Sequence, residues 1–297
     1  MKVLVTGSSG QLGSYICELV AGEHEVSGLD LVPSTHASTR DLTVLGDIRN
    51  AADAARAVAG ADAVVHCAAQ VSVERSTEDP VSDAQTNVLG TVNMLHAASR
   101  SGVGRFVYVS SAAVYGDPVK IPIGEGHPTE PLSNYGASKL SGEKFTLACG
   151  HTTDMEVAVV RPFNFYSPRA DPKSPYSGVI TKFVERVRVG RPPVIEGDGL
   201  QTRDFIHARD VASMAVSLLS AEGVDGEVFN CGSGSPTSIL DLAKATVSAS
   251  GRRLEPEFTV PRKGDIRHSL ADMAKAKGAL GFSAKVPLGD GLAELLR

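Results

Sequence analysis

A tyrosine and a lysine four residues apart form the pattern in this sequence best suited to acid–base chemistry. Tyr135 and Lys139 would lie on one face of a helix, one turn apart. A tyrosine hydroxyl has a pKa of about 10, and a neighbouring ammonium favours its ionised form. We therefore expect Lys139 to lower the pKa of Tyr135, so that the pair moves protons near neutral pH. Because the pattern is short and also fits an ordinary exposed helix turn, it needs support from a cofactor site and a hydroxyl partner.

The N-terminal segment predicts a cofactor site. A short strand at residues 2–6 runs into Gly7-Ser8-Ser9-Gly10-Gln11-Leu12-Gly13, and residues 14–21 read as a helix. Glycines in this order suit a tight turn, a close approach of backbone to a pyrophosphate, and packing of helix on strand, with the helix N-terminus facing the phosphates. A tight structural turn is the alternative, but the strand–loop–helix context favours dinucleotide binding.

Acidic side chains end the next two predicted strands. Asp30 follows the glycine loop by about 20 residues, where a carboxylate binds the adenosine ribose hydroxyls and repels a 2′-phosphate. The nearest arginine in the sequence is Arg40, so we expect NAD rather than NADP. Asp47 ends a third strand at residues 44–48. It either accepts from the adenine amino group or caps a helix at residues 51–58.

A fifth strand at residues 105–109 should deliver two hydroxyl groups to the same edge of the sheet. Ser110 and Ser111 follow that strand directly. Ligands of an open parallel sheet bind beyond the carboxyl ends of its strands, so both serines stand where chemistry is expected. A serine in this position is usually only a cap or turn residue, and the Tyr135 helix downstream favours the catalytic interpretation.

The fourth strand and the following helix complete the predicted cofactor site. Small residues follow His66 on the fourth strand, and they would let the backbone lie against a cofactor. We expect His66 itself to be structural. A long helix is predicted at residues 83–101, and Asn87 on it could brace the backbone of the active site.

The composition is that of an ordinary globular protein. Of the 297 residues, 42% are hydrophobic and 21% are charged, and the net charge of -5 argues against a nucleic-acid or anionic-membrane surface. The four cysteines are widely spaced without a Cys-x-x-Cys pair, which indicates free thiols in a reducing compartment. Neither an apolar run of about 20 residues nor a signal-peptide pattern occurs, so we expect a cytoplasmic protein.

The second half of the chain predicts a smaller lobe. After the sixth strand, a stretch rich in proline and glycine covers residues 168–178, and short mixed elements follow. We assign residues 1–162 to a dinucleotide-binding domain with a return segment at about 204–231. Residues 163–203 and 232–297 form the substrate lobe. The predicted fold is therefore α/β, a doubly wound parallel Rossmann sheet with a smaller mixed α/β substrate-binding lobe.

Arginines in the predicted loops of this lobe suit a diphosphate ligand. Arg203 and Arg262 are the main candidates, with Arg169 and Arg267 in addition. Guanidinium groups bind phosphates in a bidentate way, although solvated surface charge is a fair alternative for any one of them.

With these residues in hand, the chain resembles the extended short-chain dehydrogenase/reductase family. It is most similar to the NAD-dependent nucleotide-sugar epimerase/dehydratase group, and in particular to UDP-glucose 4-epimerases. The resemblance covers nearly the whole length, and the order and spacing of its motifs are specific. The motifs are Thr6-Gly7-Ser8-Ser9-Gly10-Gln11-Leu12-Gly13, Asp30, Gly46-Asp47-Ile48, His66-Cys67-Ala68-Ala69, Asn87, Ser110-Ser111-Ala112-Ala113-Val114-Tyr115-Gly116, Tyr135-x-x-x-Lys139, Arg161-Pro162-Phe163-Asn164, Arg203-Asp204-Phe205-Ile206-His207 and Arg262-Lys263-Gly264-Asp265.

The resemblance implies a role for each matched residue. Tyr135 would be the acid–base group, Lys139 would hold the nicotinamide ribose, and Ser111 would hydrogen-bond the reacting sugar hydroxyl. The implied NAD-binding residues are Gly7, Gly10, Gln11, Leu12, Gly13, Asp30, Asp47, Ile48, Cys67, Ala68, Ala69, Gln70, Asn87, Tyr135, Lys139 and Pro162. The implied substrate-binding residues are Ser111, Tyr135, Asn164, Val179, Arg203, Arg262, Asp265 and Ser269. No metal is implied.

The implied reaction is the 4-epimerisation of UDP-glucose and UDP-galactose through a transient 4-keto sugar. Ala112 and Ala113 stand where the 4,6-dehydratases of the family carry an Asp-Glu pair, so dehydration is not expected. The small Ser269 implies that UDP-GlcNAc and UDP-GalNAc are also accepted. Family members are often dimers through two helices, so a homodimer is expected.

Three alternatives stay open. A UDP-glucuronate 4-epimerase would need a cation near the sugar carboxylate, which Arg75, Arg169 or Arg267 could supply. A 4-keto-sugar reductase would usually prefer NADPH, which Asp30 opposes. A non-catalytic dinucleotide sensor is disfavoured because such proteins commonly lose the Tyr/Lys pair, and this chain retains it.

Overall fold

Seven parallel strands form the central sheet of the computed structural model, which describes residues 1–171, 178–262 and 264–297. The strands are β1 (Lys2–Thr6), β2 (Glu25–Asp30), β3 (Thr43–Leu45), β4 (Ala63–His66), β5 (Arg105–Val109), β6 (Glu156–Pro162) and β10 (Glu227–Cys231). Their order is β10-β6-β5-β4-β1-β2-β3, so the direction of winding reverses between β1 and β4. This is the doubly wound Rossmann arrangement, and the predicted fold class is confirmed.

Helices cover both faces of this sheet, as a parallel sheet requires. The helices α1 (Gln11–Ala21), α8 (Ala208–Ser217) and α10 (Ala274–Leu280) share one buried core with the sheet. The helices α2 (Ala51–Val58) and α5 (Thr91–Arg100) share the core of the other face, against which α6 (Asn134–Thr152) also packs. Strand residues alternate between the two cores: Val3 and Val5 face α1 and α8, whereas Leu4 faces the opposite side. This alternation decides which face each side chain near the strand ends can reach.

A smaller lobe lies beyond the carboxyl ends of the strands. Its elements are β7 (Asn164–Tyr166), α7 (Val179–Arg188), β8 (Val194–Glu196), β9 (Thr202–His207), β11 (Pro236–Ser238), α9 (Ile239–Ala249), β12 (Glu257–Thr259) and α11 (Leu288–Leu296). The strands form a three-stranded sheet in the order β11-β9-β7 and a β12-β8 pair. The helices pack on each other around a separate core that includes Phe183, Leu242 and Leu292. The domain boundaries drawn from the sequence remain a prediction.

The predicted helix at residues 83–101 is present, but it starts earlier, at Pro80, and contains a π-helical turn. The structure has α3 (Val73–Glu78), α4 (Pro80–Ala84), a π-helical turn at Gln85–Gly90, and then α5. Asp79 separates α3 from α4, because its side chain accepts a hydrogen bond from Ser82 N–H and Pro80 starts a new helix. The sequence pattern did not reveal α3 or the π turn, which carries Asn87.

Two sequence features fall outside the described residues. They are residues 172–177 of the proline- and glycine-rich stretch 168–178, and Lys263 of the Arg262–Asp265 loop. Within the described part of the chain, no helix is both long enough and apolar enough to cross a bilayer.

Candidate active site

Helix α6 holds Tyr135 and Lys139, and its first turn is fixed from two sides. The helix begins after Ser133, whose side chain accepts a hydrogen bond from Gly136 N–H at 3.0 Å. Tyr135 N–H donates to the Ser76 hydroxyl on α3 at 3.0 Å. The predicted helix is therefore present, and α3 anchors the turn that carries the tyrosine.

Lys139 is buried against the end of β5. Its ammonium donates to the Val109 carbonyl at 2.6 Å and lies 4.4 Å from the centre of the Tyr108 ring. Burial lowers its pKa to about 8, although the charges of Cys67, Glu143 and Asp83 act in the opposite direction.

Tyr135 departs from the expectation for its pKa. Burial of the hydroxyl raises the pKa above its ordinary value, and the charge of Asp83 adds to this effect. A hydrogen bond with Ser111 acts in the opposite direction. The expected lowering by Lys139 is therefore wrong for this structure, because desolvation is the larger effect and Lys139 donates to the Val109 carbonyl.

The two serines after β5 have different partners. Ser110 donates to the Glu143 carboxylate at 3.0 Å, in the interior. Ser111 caps the 3₁₀ turn at Ala112–Tyr115, accepts from Ala113 N–H at 3.1 Å, and is the serine that interacts with Tyr135. Of the two serines, Ser111 is therefore the one whose side chain interacts with that of Tyr135.

A cavity of about 390 Å³ extends from the glycine loop to Tyr135 and Lys139. Most of the residues implied for NAD line it: Gly7, Gly10, Gln11, Leu12, Gly13, Asp30, Asp47, Ile48, Cys67, Ala68, Ala69, Tyr135 and Lys139. This first cavity therefore contains, on one surface, residues that the sequence places far apart.

The glycine loop fits a dinucleotide pyrophosphate. Gly7 has φ +70°, and a Cβ on Gly13 would lie 2.1 Å from the Gly7 carbonyl oxygen, so only glycine allows this packing. Gly10 occupies the N-cap of α1 and offers no side-chain cap. The N–H groups at the start of α1 thus remain available to a bound phosphate.

The acidic residues of the first cavity have well-defined partners. The Asp30 carboxylate accepts from Ser9 N–H at 3.0 Å, next to the glycine loop. Asp47 binds the guanidinium of Arg49, which lowers the pKa of the carboxyl. The helix-cap interpretation of Asp47 is wrong, because Asn50 caps α2. Arg49 also lines this cavity, a position that the sequence pattern did not reveal.

Three residues implied for NAD are not among the described residues that line the first cavity: Gln70, Asn87 and Pro162. Asn87 is buried and works as a brace. Its side-chain oxygen Oδ1 accepts from Gln70 N–H at 2.8 Å, and its side-chain nitrogen Nδ2 donates to the Ser138 hydroxyl on α6 at 3.0 Å. These bonds join the loop after β4 to the helix of Tyr135, which agrees with the bracing hypothesis.

His66 is enclosed in the core. Its two ring nitrogens bond the hydroxyls of Thr6 at 2.7 Å and Thr91 at 3.2 Å. Burial lowers its pKa to about 3, so the ring is neutral. This agrees with the structural role expected from the sequence.

A second cavity of about 480 Å³ adjoins the first, and Val71 lines both. Five of the residues implied for the substrate line it: Asn164, Val179, Arg203, Arg262 and Asp265. Arg203 is mostly buried on β9, not in a loop, and donates to Asp265 at 2.6 Å. Arg262 donates to Glu74 across the cavity at 3.0 Å. Two guanidinium groups thus face one polar cavity.

The other candidates of this lobe lie elsewhere. Arg169 binds Glu18 and stacks on Tyr15, and Arg267 binds Asp198. Ser269 donates its N–H to the Thr202 carbonyl at 3.1 Å. None of Arg169, Arg267 and Ser269 is among the described residues that line the second cavity.

The structure also contains a buried ionic network beneath α6 that was not predicted from the sequence. Glu143 binds Arg161 and the Ser110 hydroxyl. Arg161 donates to the Tyr115 hydroxyl at 2.8 Å, and that hydroxyl donates to Asn230 at 2.6 Å. The sequence signal was present, since Glu143 follows Lys139 by one helical turn. Over the described ranges, no cluster of His, Cys, Asp and Glu could hold a metal ion.

Comparisons with known proteins bear on this site. The family model described as "NAD dependent epimerase/dehydratase family" matches residues 3–232. A UDP-glucose 4-epimerase of Mycolicibacterium smegmatis is 38% identical over 306 residues, which cover 99% of this chain and 97% of the relative. A dTDP-glucose 4,6-dehydratase of Actinoplanes sp. is 33% identical over 316 residues, covering 99% and 96%. A solved UDP-glucose 4-epimerase of Thermotoga maritima with UDP-glucose has a TM-score of 0.93 at 32% identity, covering 100% and 97%.

Proposed function

The chain belongs to the NAD-dependent epimerase/dehydratase family, and we propose that it is a 4-epimerase of UDP-hexoses. The match to the family model and the identity to the Mycolicibacterium smegmatis relative confirm the resemblance seen in the sequence. The observation that carries the proposal is that Tyr135 and Lys139 line the first cavity, which adjoins the second, and that Ser111 interacts with Tyr135 although it is not among the described residues that line either cavity. One cavity fits a dinucleotide, and the other presents Arg203 and Arg262.

The proposed reaction assigns the proton steps to residues of this chain. Tyr135 takes the proton of the sugar 4-hydroxyl and returns it to the oxygen of the 4-keto sugar, while Ser111 orients that oxygen. NAD, when bound along the first cavity, would supply the hydride acceptor for C4 and the donor that returns the hydride to the opposite face of the sugar. Arg203 and Arg262 hold the diphosphate so that the nucleotide stays bound while the sugar turns.

Dehydration is disfavoured by the residues that follow Ser111. Ala112 and Ala113 form the start of the 3₁₀ turn and carry no carboxyl group. Elimination of water from C5 and C6 needs an acid and a base beyond the tyrosine. The absence of such side chains at these positions supports 4-epimerisation over the activity named for the Actinoplanes relative.

We also propose that N-acetylated sugars are accepted and that the protein is a homodimer. Ser269 is not among the described residues that line the second cavity, and its N–H bonds the carbonyl of Thr202, the neighbour of Arg203. The N-acetyl proposal is therefore supported by the small size of the Ser269 side chain that the resemblance singles out. Val81, Leu89 and Phe145 are exposed apolar side chains on α4, the π turn and α6. An exposed apolar face of this kind supports burial against a second copy.

The test is to incubate the purified protein with UDP-galactose, and separately with UDP-GalNAc, without added cofactor. We expect conversion to UDP-glucose and UDP-GlcNAc, and loss of both in Tyr135→Phe. A Ser269→Tyr variant should lose only the N-acetyl reaction. If neither sugar is converted even with added NAD, the 4-epimerase proposal for these sugars is wrong, and glucuronate and 4-keto sugars should be tried next.

A further inference from the structure

An arginine stands at the adenosine end of the first cavity, beside the acid that selects the cofactor. Arg49 lines the cavity together with Asp30. The two segments are joined, since Gly46 N–H donates to the Asp30 carbonyl at 2.9 Å. Asn93 donates to the Arg49 carbonyl at 3.0 Å and fixes the backbone there. Because the backbone is held, a change in the direction of Arg49 would have to come from its side chain.

Asp47 holds that side chain. Its carboxylate accepts from Arg49 Nε at 2.9 and 3.0 Å and from Nη2 at 2.6 Å. Asp47 itself is held, because its N–H donates to Asp53 at 2.9 Å. This is the bidentate geometry in which arginine binds an anion most effectively. A phosphate would have to compete with a carboxylate already in place.

The local charges show what this pairing does. Asp30, Asp47 and Arg49 carry two negative charges and one positive charge. A 2′-phosphate adds about two negative charges at neutral pH and needs a cation. Among the described residues that line the cavity, Arg49 is the one arginine, and Lys139 lies at the other end against Val109.

We propose that Asp47 is a second determinant of NAD selectivity, acting by keeping the Arg49 guanidinium from a 2′-phosphate. Asp30 repels the phosphate directly, whereas Asp47 withholds the cation that would bind it. The proposal rests on NAD binding by the family and not on the choice of sugar, so it can be tested without turnover.

The probes are adenosine 2′,5′-bisphosphate and adenosine 5′-monophosphate, titrated calorimetrically into protein stripped of nucleotide. Their affinity ratio cancels the contacts to adenine. In Asp47→Asn we expect the ratio to rise about tenfold in favour of the bisphosphate, as for one charge-assisted contact at a half-exposed site. The variant should fold, because Asn50 and not Asp47 caps α2.

The decisive comparison is the double variant Asp47→Asn/Arg49→Gln. The gain should disappear there, because the guanidinium is gone. A gain that persists in the double variant would mean that Asp47 acts only by repulsion, and the proposal would be wrong. No gain in Asp47→Asn would also overturn it. Arg40→Gln is the matched control, since Arg40 is exposed and does not line the cavity, and it should leave the ratio unchanged.

Discussion

The ion pair between Glu143 and Arg161 offers a sharp test of how the core beneath the active site is built. The two side chains are 0% and 4% exposed. Removing one partner leaves a buried charge without compensation, which typically costs about 3–5 kcal/mol. We therefore expect Glu143→Leu and Arg161→Met each to lower the free energy of unfolding by about that amount.

The double variant should cost much less than the sum. Replacing both charges by apolar groups of similar size is often close to neutral. What remains is the loss of partners for the Ser110 hydroxyl, the Tyr115 hydroxyl and the Glu125 carbonyl, at about 1 kcal/mol each. We expect a total of about 3 kcal/mol, against about 6–10 kcal/mol if the single costs added.

Urea unfolding of the four proteins, followed by circular dichroism, measures this double-mutant cycle. The control pair is Arg267 and Asp198, an exposed pair at 2.8 Å, for which the coupling should be below about 1 kcal/mol. Additive costs for Glu143→Leu and Arg161→Met, within about 0.5 kcal/mol, would refute the reasoning that burial creates the penalty.

Three further predictions follow from single residues. Asn50→Ala should lower stability by about 1 kcal/mol in a thermal or urea unfolding series, because Asn50 caps α2. Gly13→Ala should weaken NAD binding by calorimetry, since its Cβ would collide with the Gly7 carbonyl. As the pH is raised from 8 to 10.5, the free energy of unfolding of the wild-type protein should rise relative to that of the Lys139→Met variant. Lys139 has a folded pKa of about 8 and an ordinary value of 10.5, so the unfolded chain binds more protons in that window. A flat difference between those two proteins would contradict the lowered pKa.

The Rossmann half could be predicted because its signals are local. Strand, glycine loop and helix follow one another within residues 2–21, and Asp30 ends the next strand. In a parallel sheet all strand ends lie at one edge, so residues that follow strands gather there whatever their distance in sequence. That rule brought Ser111 to Tyr135 and Asp47 to the first cavity.

The rest depends on pairings between distant residues, which a pattern does not reveal. Arg49 lies beside Asp30 only because β3 pairs with β2. The direction of the Tyr135 pKa depends on burial, and the spacing of Tyr135 and Lys139 carries no information about burial. Arg169 and Arg267 were additional candidates in the sequence, but they have carboxylate partners outside the second cavity.

The spacing in α6 has a wider meaning than the Tyr135–Lys139 pair suggests. Tyr135, Lys139 and Glu143 recur every four residues, and each contacts the end of β5: Ser111, the Val109 carbonyl and Ser110 respectively. Three successive turns of the helix are therefore attached to three successive residues of one strand end. The helix cannot slide along the sheet without breaking all three contacts. Glu143 thus fixes the register that places the tyrosine, although the ion pair with Arg161 lies outside the chemistry itself.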